Sequence, residues 1–261
     1  MSFDEDLFDA RHRLRLGPFA KRAYATVLAD LGGFVDQNAF WLLGFFVVVE
    51  CVDLYLAGAA SLLARSLTAS LFAAAVAVGW HRHVLVGEAR SPLSALRFGP
   101  REARFWLLSV AFSAVGGVVA FGFGLAAVIV RTAFPSAGFL LVIAAAVGAL
   151  GVGAFLAARL SLAFPLIAID ERKPLQRAWA ASRMHAWFIF KLMFVTTVPF
   201  AAVIPLIRWT GLELAPVGGS YVRLAFSFVS DGLWVADICI GAAAISLVTR
   251  ALLGHIRNVT A

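Results

Sequence analysis

The chain is 261 residues long, 62 % hydrophobic and only 14 % charged, with a mean hydropathy of +0.90 and a net charge of +7. A soluble domain is roughly 45–50 % apolar and about 25 % charged, so this chain lacks the polar surface to cover a water-facing globule. A soluble enzyme and a disordered tail are both excluded, and the bulk of the surface must face lipid.

The first segment, residues 1–37, mixes acids with bases and has neither an apolar h-region nor a small-residue cleavage site. It reads as a cytoplasmic amphipathic segment rather than a secretory signal. A single transmembrane domain over residues 38–250 and a cytoplasmic tail over 251–261 follow. Crossing a hydrocarbon core of ~30 Å takes about 20 apolar residues. Six runs qualify in chain order: Asn38–Ala60, Ser66–Val86, Phe105–Val130, Ala137–Ala158, Trp187–Ile207 and Val222–Val248. The predicted fold class is therefore all-α, a polytopic membrane bundle of six transmembrane helices with amphipathic interface helices on the cytoplasmic side.

Lys/Arg bias tests the threading independently. The alternate flanks contain Arg11, Arg13, Arg15, Lys21 and Arg22, then Arg82, Arg90, Arg97, Arg101 and Arg104. Arg159, Arg172, Lys173, Arg177, Arg183 and Lys191 follow, and Arg250 and Arg257 close the series. The opposite connections hold only Arg65, Arg131, Arg208 and Arg223. This alternation places both termini in the cytoplasm. The cations lie between apolar runs, so anionic lipid, not nucleic acid, is the expected partner, with a membrane-protein complex as a further one. Arg82, Arg97, Arg101, Arg159, Arg172, Lys173 and Arg177 are the expected headgroup-binding set.

The two long basic connections resemble each other. Each has an Arg closing a span, a Pro-Leu opening a short amphipathic segment (Ser91-Pro92-Leu93 and Pro174-Leu175), and an aromatic pair entering the next span. In the second, Leu175, Ala178, Trp179, Ser182 and Ala186 share a helical face. Pro100 is expected to end the first helix. A third, degenerate copy begins at Pro18-Phe19. The stretch RLSLAFPLIAIDERKPLQRAWAASRMHAWFIF (159–190) and the WHRHVLVGE end of span 2 (80–88) resemble a family of uncharacterised bacterial six-span membrane proteins. That family is similar to the membrane domain fused to glycerophosphoryl diester phosphodiesterases. The resemblance implies an all-helical inner-membrane bundle and carries no catalysis, because that chemistry resides in a separate (β/α)₈ barrel of about 250 residues.

Small residues recur four apart at Gly116, Ala120 and Gly124 and at Ala145, Ala149, Gly153 and Ala157, which predicts close packing of spans 3 and 4. Four intramembrane acids, Glu50, Asp53, Asp231 and Asp237, are the functional lead, since a charge at mid-membrane costs ~2.5–3.5 kcal/mol. At ~1.5 Å per residue, Glu50 and Asp231 fall near the midplane, with no Lys or Arg expected at that depth. If they face each other they share a proton. Asp237 is expected to pair with Lys191, and Asp53 with a snorkelling Arg65, Arg131 or Arg208. His81 and His83 point about 160° apart on a helix, so no metal site is expected. No phosphate loop, HExxH, Cys/His cluster or GxSxG elbow occurs, and neither catalytic residues nor a cofactor are expected. The expected function is a non-enzymatic lipid- or protein-binding scaffold, assembly or envelope-maintenance factor. The alternative is a small secondary transporter or proton/cation channel using the carboxylates. A lipid-modifying enzyme is disfavoured.

Overall fold

The computed structural model describes residues 14–56, 58–88, 98–133 and 138–253. All its elements are helices: α1 (Leu16–Ala29), α2 (Leu31–Tyr55), α3 (Gly58–Val86), α4 (Pro100–Ala133), α5 (Gly138–Leu160), α6 (Ala163–Ala168) and α7 (Pro174–Ala181). The last helical stretch divides at Gly219, where φ is +71°, into α8 (Ala186–Leu214) and α9 (Gly219–Leu253).

Among the described residues, five helices are long and apolar enough to cross a bilayer: α3, α4, α5 continued through α6, α8 and α9. Helix α2 (Leu31–Tyr55) contains a shorter apolar stretch, Asn38–Val52, among the described residues. The protein is a polytopic helical membrane bundle.

Two boundaries move from their expected places. The break between the first two spans lies at Leu56–Gly58, not at 60–66, because Gly58 adopts φ +62° there. Arg65 therefore stands two turns inside α3 and not in a connection. Pro100 opens α4, and the helix it was expected to end falls outside the described residues. Pro100 occupies the first helical position, and the backbone N–H of Gly99 donates to Glu102 Oε2 at 3.0 Å, half of a capping box. Pro199 and Pro205 leave α8 helical.

The core gathers towards the arginine-rich end. Phe19 of α1, Trp80 of α3, Leu162, Leu166 of α6, Ile189 and Leu192 of α8, and Val235 and Val248 of α9 are fully buried together. Helix α1 packs through Phe19, Ala20, Ala23 and Val27, positions four apart that put one stripe inward. Phe19 meets Phe188 edge-on at 5.4 Å, and Tyr24 donates to the Thr196 carbonyl at 3.1 Å. Asp30 caps α2 by accepting from Gly33 N at 3.1 Å; a Cβ on Gly33 would lie 2.5 Å from that carboxylate.

Helices α4 and α5 form a hairpin, as the small residues predicted, but their point of close approach is elsewhere. A Cβ added to Gly148 would meet the Phe123 ring at 2.6 Å, whereas one on Gly116, Gly124 or Gly153 would meet nothing. Spacing identified a small-residue face without showing which members touch.

The α6–α7 connection is built by local hydrogen bonds. Asp170 N–H donates to Ile167 O at 3.0 Å and Glu171 N–H to Leu166 O at 3.0 Å, a Schellman closure with Asp170 at φ +60° in the position usually held by glycine. Helix α7 follows with Ala178 and Ser182 packed inward. The first-connection helix from Ser91-Pro92, and with it Arg90 and Arg97, lies outside the described residues, as do Arg11, Arg13 and Arg257.

Candidate functional site

The end opposite the arginine-rich face holds a cavity of about 330 Å³ between α2, α3, α8 and α9. Glu50, Arg65, Arg208, Arg223, Ser227 and Asp231 line it. The expected absence of cations near Glu50 and Asp231 is corrected here. Arg208 donates through one guanidinium nitrogen to Asp231 Oδ1 at 2.7 Å and through Nε to Ser230 Oγ at 2.9 Å. Asp231 is almost wholly buried while Arg208 remains half exposed, so the arginine reaches down from the rim to a carboxylate below it. Arg208 was one of three partners expected for Asp53 and is committed to Asp231 instead. The α8 and α9 chains are held close enough for this by Gly211, where a Cβ would lie 2.5 Å from Phe226 Cβ. Asp53 lies on α2 one turn beyond Glu50; its side chain is outside the described residues.

An aromatic layer separates this cavity from the rest of the bundle. Phe45 stacks on Trp234 at 4.8 Å and meets Phe72 at 5.4 Å, and Trp41 meets Phe72 edge-on at 5.0 Å.

On the other side of that layer, a second cavity of about 380 Å³ is walled by α3, α4, α5, α6, α8 and α9. Its polar groups are Asp237, His81, Ser109, Ser161 and Thr197, set among Phe105, Phe112, Phe164, Met193 and Ile238. Asp237 Oδ1 is buried and has no hydrogen-bond partner. The expected Lys191–Asp237 bridge does not form. Lys191 stands on the exposed side of α8 with its ammonium 5.6 Å from the Trp187 ring centroid, while Leu192 and Thr196 supply the inward side. Matching depths were correct grounds for a contact only if the two side chains also shared a direction.

A third feature is an apolar groove of about 810 Å³ on the lipid-facing flank of α4 and α5, closed at one end by α7. Leu108, Phe112, Val115, Gly116, Gly153 and Leu156 form its walls, and Leu175, Gln176 and Trp179 its α7 end. The bare faces of Gly116 and Gly153 keep it open.

Most of the arginines expected to meet lipid headgroups are held by the protein. Arg82 pairs with Glu88 and donates to the Ala168 carbonyl at 2.9 Å, which joins the two resemblance motifs physically. Arg101 pairs with Asp170, and Arg104 Nη1 lies 3.9 Å from it. The hydrogen bond from Arg101 holds the Asp170 carboxyl below the usual carboxylate range. Arg177 pairs with Glu171, and buried Arg159 lies 4.0 Å over the Trp179 ring. Arg172 and Lys173 remain exposed and make no ion pair among the described residues. The side chain of Arg172 is thus free to meet phosphate, as is that of Lys173.

The histidines fan apart as helical spacing requires. His81 shares a hydrogen bond with Ser246 at 2.7 Å, and His83 lies 3.0 Å from Asp30. Among the described residues no cluster of metal-ligating side chains occurs. The Asp170 closure and the His81–Ser246 bond were not anticipated; the stretch Pro165-Leu166-Ile167-Ala168-Ile169-Asp170 carried the first, and nothing local in sequence carried the second.

The fold and its cavities define a multi-pass membrane protein. No family model matches the chain, and no curated protein and no solved structure is detectably similar to it.

Proposed function

We propose that this is a non-enzymatic protein of the bacterial inner membrane that binds anionic phospholipid in a scaffolding, assembly or envelope-maintenance role. The groove beside α4 and α5 is the observation that carries the reading. It begins at the interface helix α7 and extends along α4 from Leu108 to Gly116, eight residues or ~12 Å, close to one leaflet of a ~30 Å core. Its volume lies within the roughly 300–1,000 Å³ of small-molecule sites, and its walls are apolar along their length. One acyl chain fits that shape, with its phosphate at the level of Arg172 and Lys173. Both termini face the cytoplasm in this reading, supported by the eighteen-to-four division of Lys and Arg. The likeness to the phosphodiesterase-associated membrane family supports the setting and adds no activity.

Lipid carried through purification in mild detergent tests this. Gly153→Phe fills the groove and is expected to lower the anionic phospholipid per protein measured by mass spectrometry, with the thermal midpoint unchanged. Arg172→Ala with Lys173→Ala is expected to lower the anionic share while total lipid stays constant. Unchanged lipid in both variants overturns the reading.

A second reading, a small proton- or cation-coupled transporter, is favoured by one observation: Glu50 and Asp231 line the same polar cavity. Proton leak in vesicles that Glu50→Gln abolishes supports it, and tight wild-type vesicles oppose it.

A further inference from the structure

The Asp237 cavity combines two features that constrain its occupant. Its walls are mainly aromatic and aliphatic, and its one acidic group has an oxygen that is buried and receives no hydrogen bond. Among the described residues no Lys, Arg or His makes an ion pair with Asp237, in contrast to Asp231 six residues earlier. The two titratable groups within its surroundings are His81 on α3, tied to Ser246, and Tyr24 on α1, tied to the Thr196 carbonyl. Neither supplies a fixed positive charge at the carboxylate.

A carboxylate with one oxygen buried and unpartnered in an apolar cavity is costly, and a monovalent cation offsets that cost. A proton does so in the empty cavity. A lipophilic organic cation does so equally, and gains the aromatic walls of Phe105, Phe112 and Phe164 through cation–π and apolar contact. We propose that this cavity is a binding site for a lipophilic organic monocation, which displaces one proton from Asp237 as it enters. The exchange balances: one positive charge arrives and one proton leaves to solvent. Phe112 borders both this cavity and the acyl-chain groove, so a cation dissolved in the leaflet reaches the site from the lipid side.

Tetraphenylphosphonium is a suitable probe, titrated against the full-length protein in mild detergent. Wild type is expected to bind it, with affinity falling at least about fivefold between about pH 8 and pH 5.5 as protons compete for the carboxyl. Asp237→Asn is expected to lose at least about tenfold in affinity, about 1.4 kcal/mol. Asp36→Asn, which removes an exposed carboxylate elsewhere, is expected to bind as wild type does. If Asp237→Asn fails to fold, the wild-type pH series decides alone. Absence of binding, equal binding by Asp237→Asn, or affinity independent of pH overturns the proposal. The variant Gly153→Phe separates it from the lipid reading, since it fills the groove and leaves Asp237 in place, so bound lipid is expected to fall while the probe still binds as in wild type.

Discussion

Helices α5 and α9 show how differently two membrane spans use their surfaces. The α5 span has the highest mean hydropathy of the bundle, 2.5, and none of its most apolar window is buried within the protein. The α9 span has a mean hydropathy of only 1.8, and 61 % of its window is buried. In water the more apolar helix would be the core. In lipid, the surface a helix turns to acyl chains needs only apolar side chains, and the surface it packs needs small residues and polar partners. Helix α9 therefore carries Ala242, Ala243, Ala244, Ser246 and Thr249 in its buried face together with Asp231 and Asp237. Helix α5 carries large exposed residues such as Phe139, Leu140 and Leu150.

That contrast can be broken most forcefully at its charged point. Arg208→Met leaves Asp231 buried without its cation, and the loss is expected to be about 3 kcal/mol, reduced from a fully buried pair because Arg208 is half exposed. Thermal unfolding in detergent reads it, and Asp231→Asn in the same chain is expected to recover most of the loss. The same substitution made on each helix sharpens the comparison next. Ala243→Leu overfills a closed core and is expected to cost about 1–3 kcal/mol, whereas Ala146→Leu on α5 faces lipid and is expected to stay within about 0.5 kcal/mol. Equal midpoints for the two variants would show that α9 is not the packed helix.

Smaller effects belong to the interface end. Gly33→Ala pushes the Asp30 cap aside and is expected to cost about 1 kcal/mol, read as a lower melting midpoint. Asp170 gives the smallest effect and the one with a pH signature. Its carboxyl is held low by Arg101, so its contribution is complete above the ordinary value of about 4 and is lost as pH falls through the lower folded value. Being partly exposed, the pair is expected to contribute at most about 1 kcal/mol. Asp170→Asn is expected to remove this part of the acid dependence while keeping the left-handed backbone that Asn tolerates.

The helices were legible because a crossing needs an apolar run of known length, and a helix satisfies its backbone hydrogen bonds within one such run. What sequence left hidden is direction around each helix. Depth alone paired Asp237 with Lys191, yet Lys191 points outward beside Trp187. Arg65 and Arg208 were assigned to connections because charge marks a loop in a linear reading. Both sit on helices, where a long side chain lets the guanidinium reach a cavity while the backbone stays in the span. The arginines of the basic face were read as a set that meets lipid headgroups. Arg82, Arg101 and Arg177 instead have acidic partners six or more residues away in sequence, a separation at which pairing depends on the tertiary fold.

The uncharged contact between Gly211 and Phe226 sets the vertical registration of the two last helices. Sliding α9 by a single turn past α8 would carry Asp231 ~5.4 Å from the guanidinium that now meets it, and would displace Asp237 by the same step. The levels at which both acids stand are thus inherited from a methyl group missing at Gly211, within the last turn of α8.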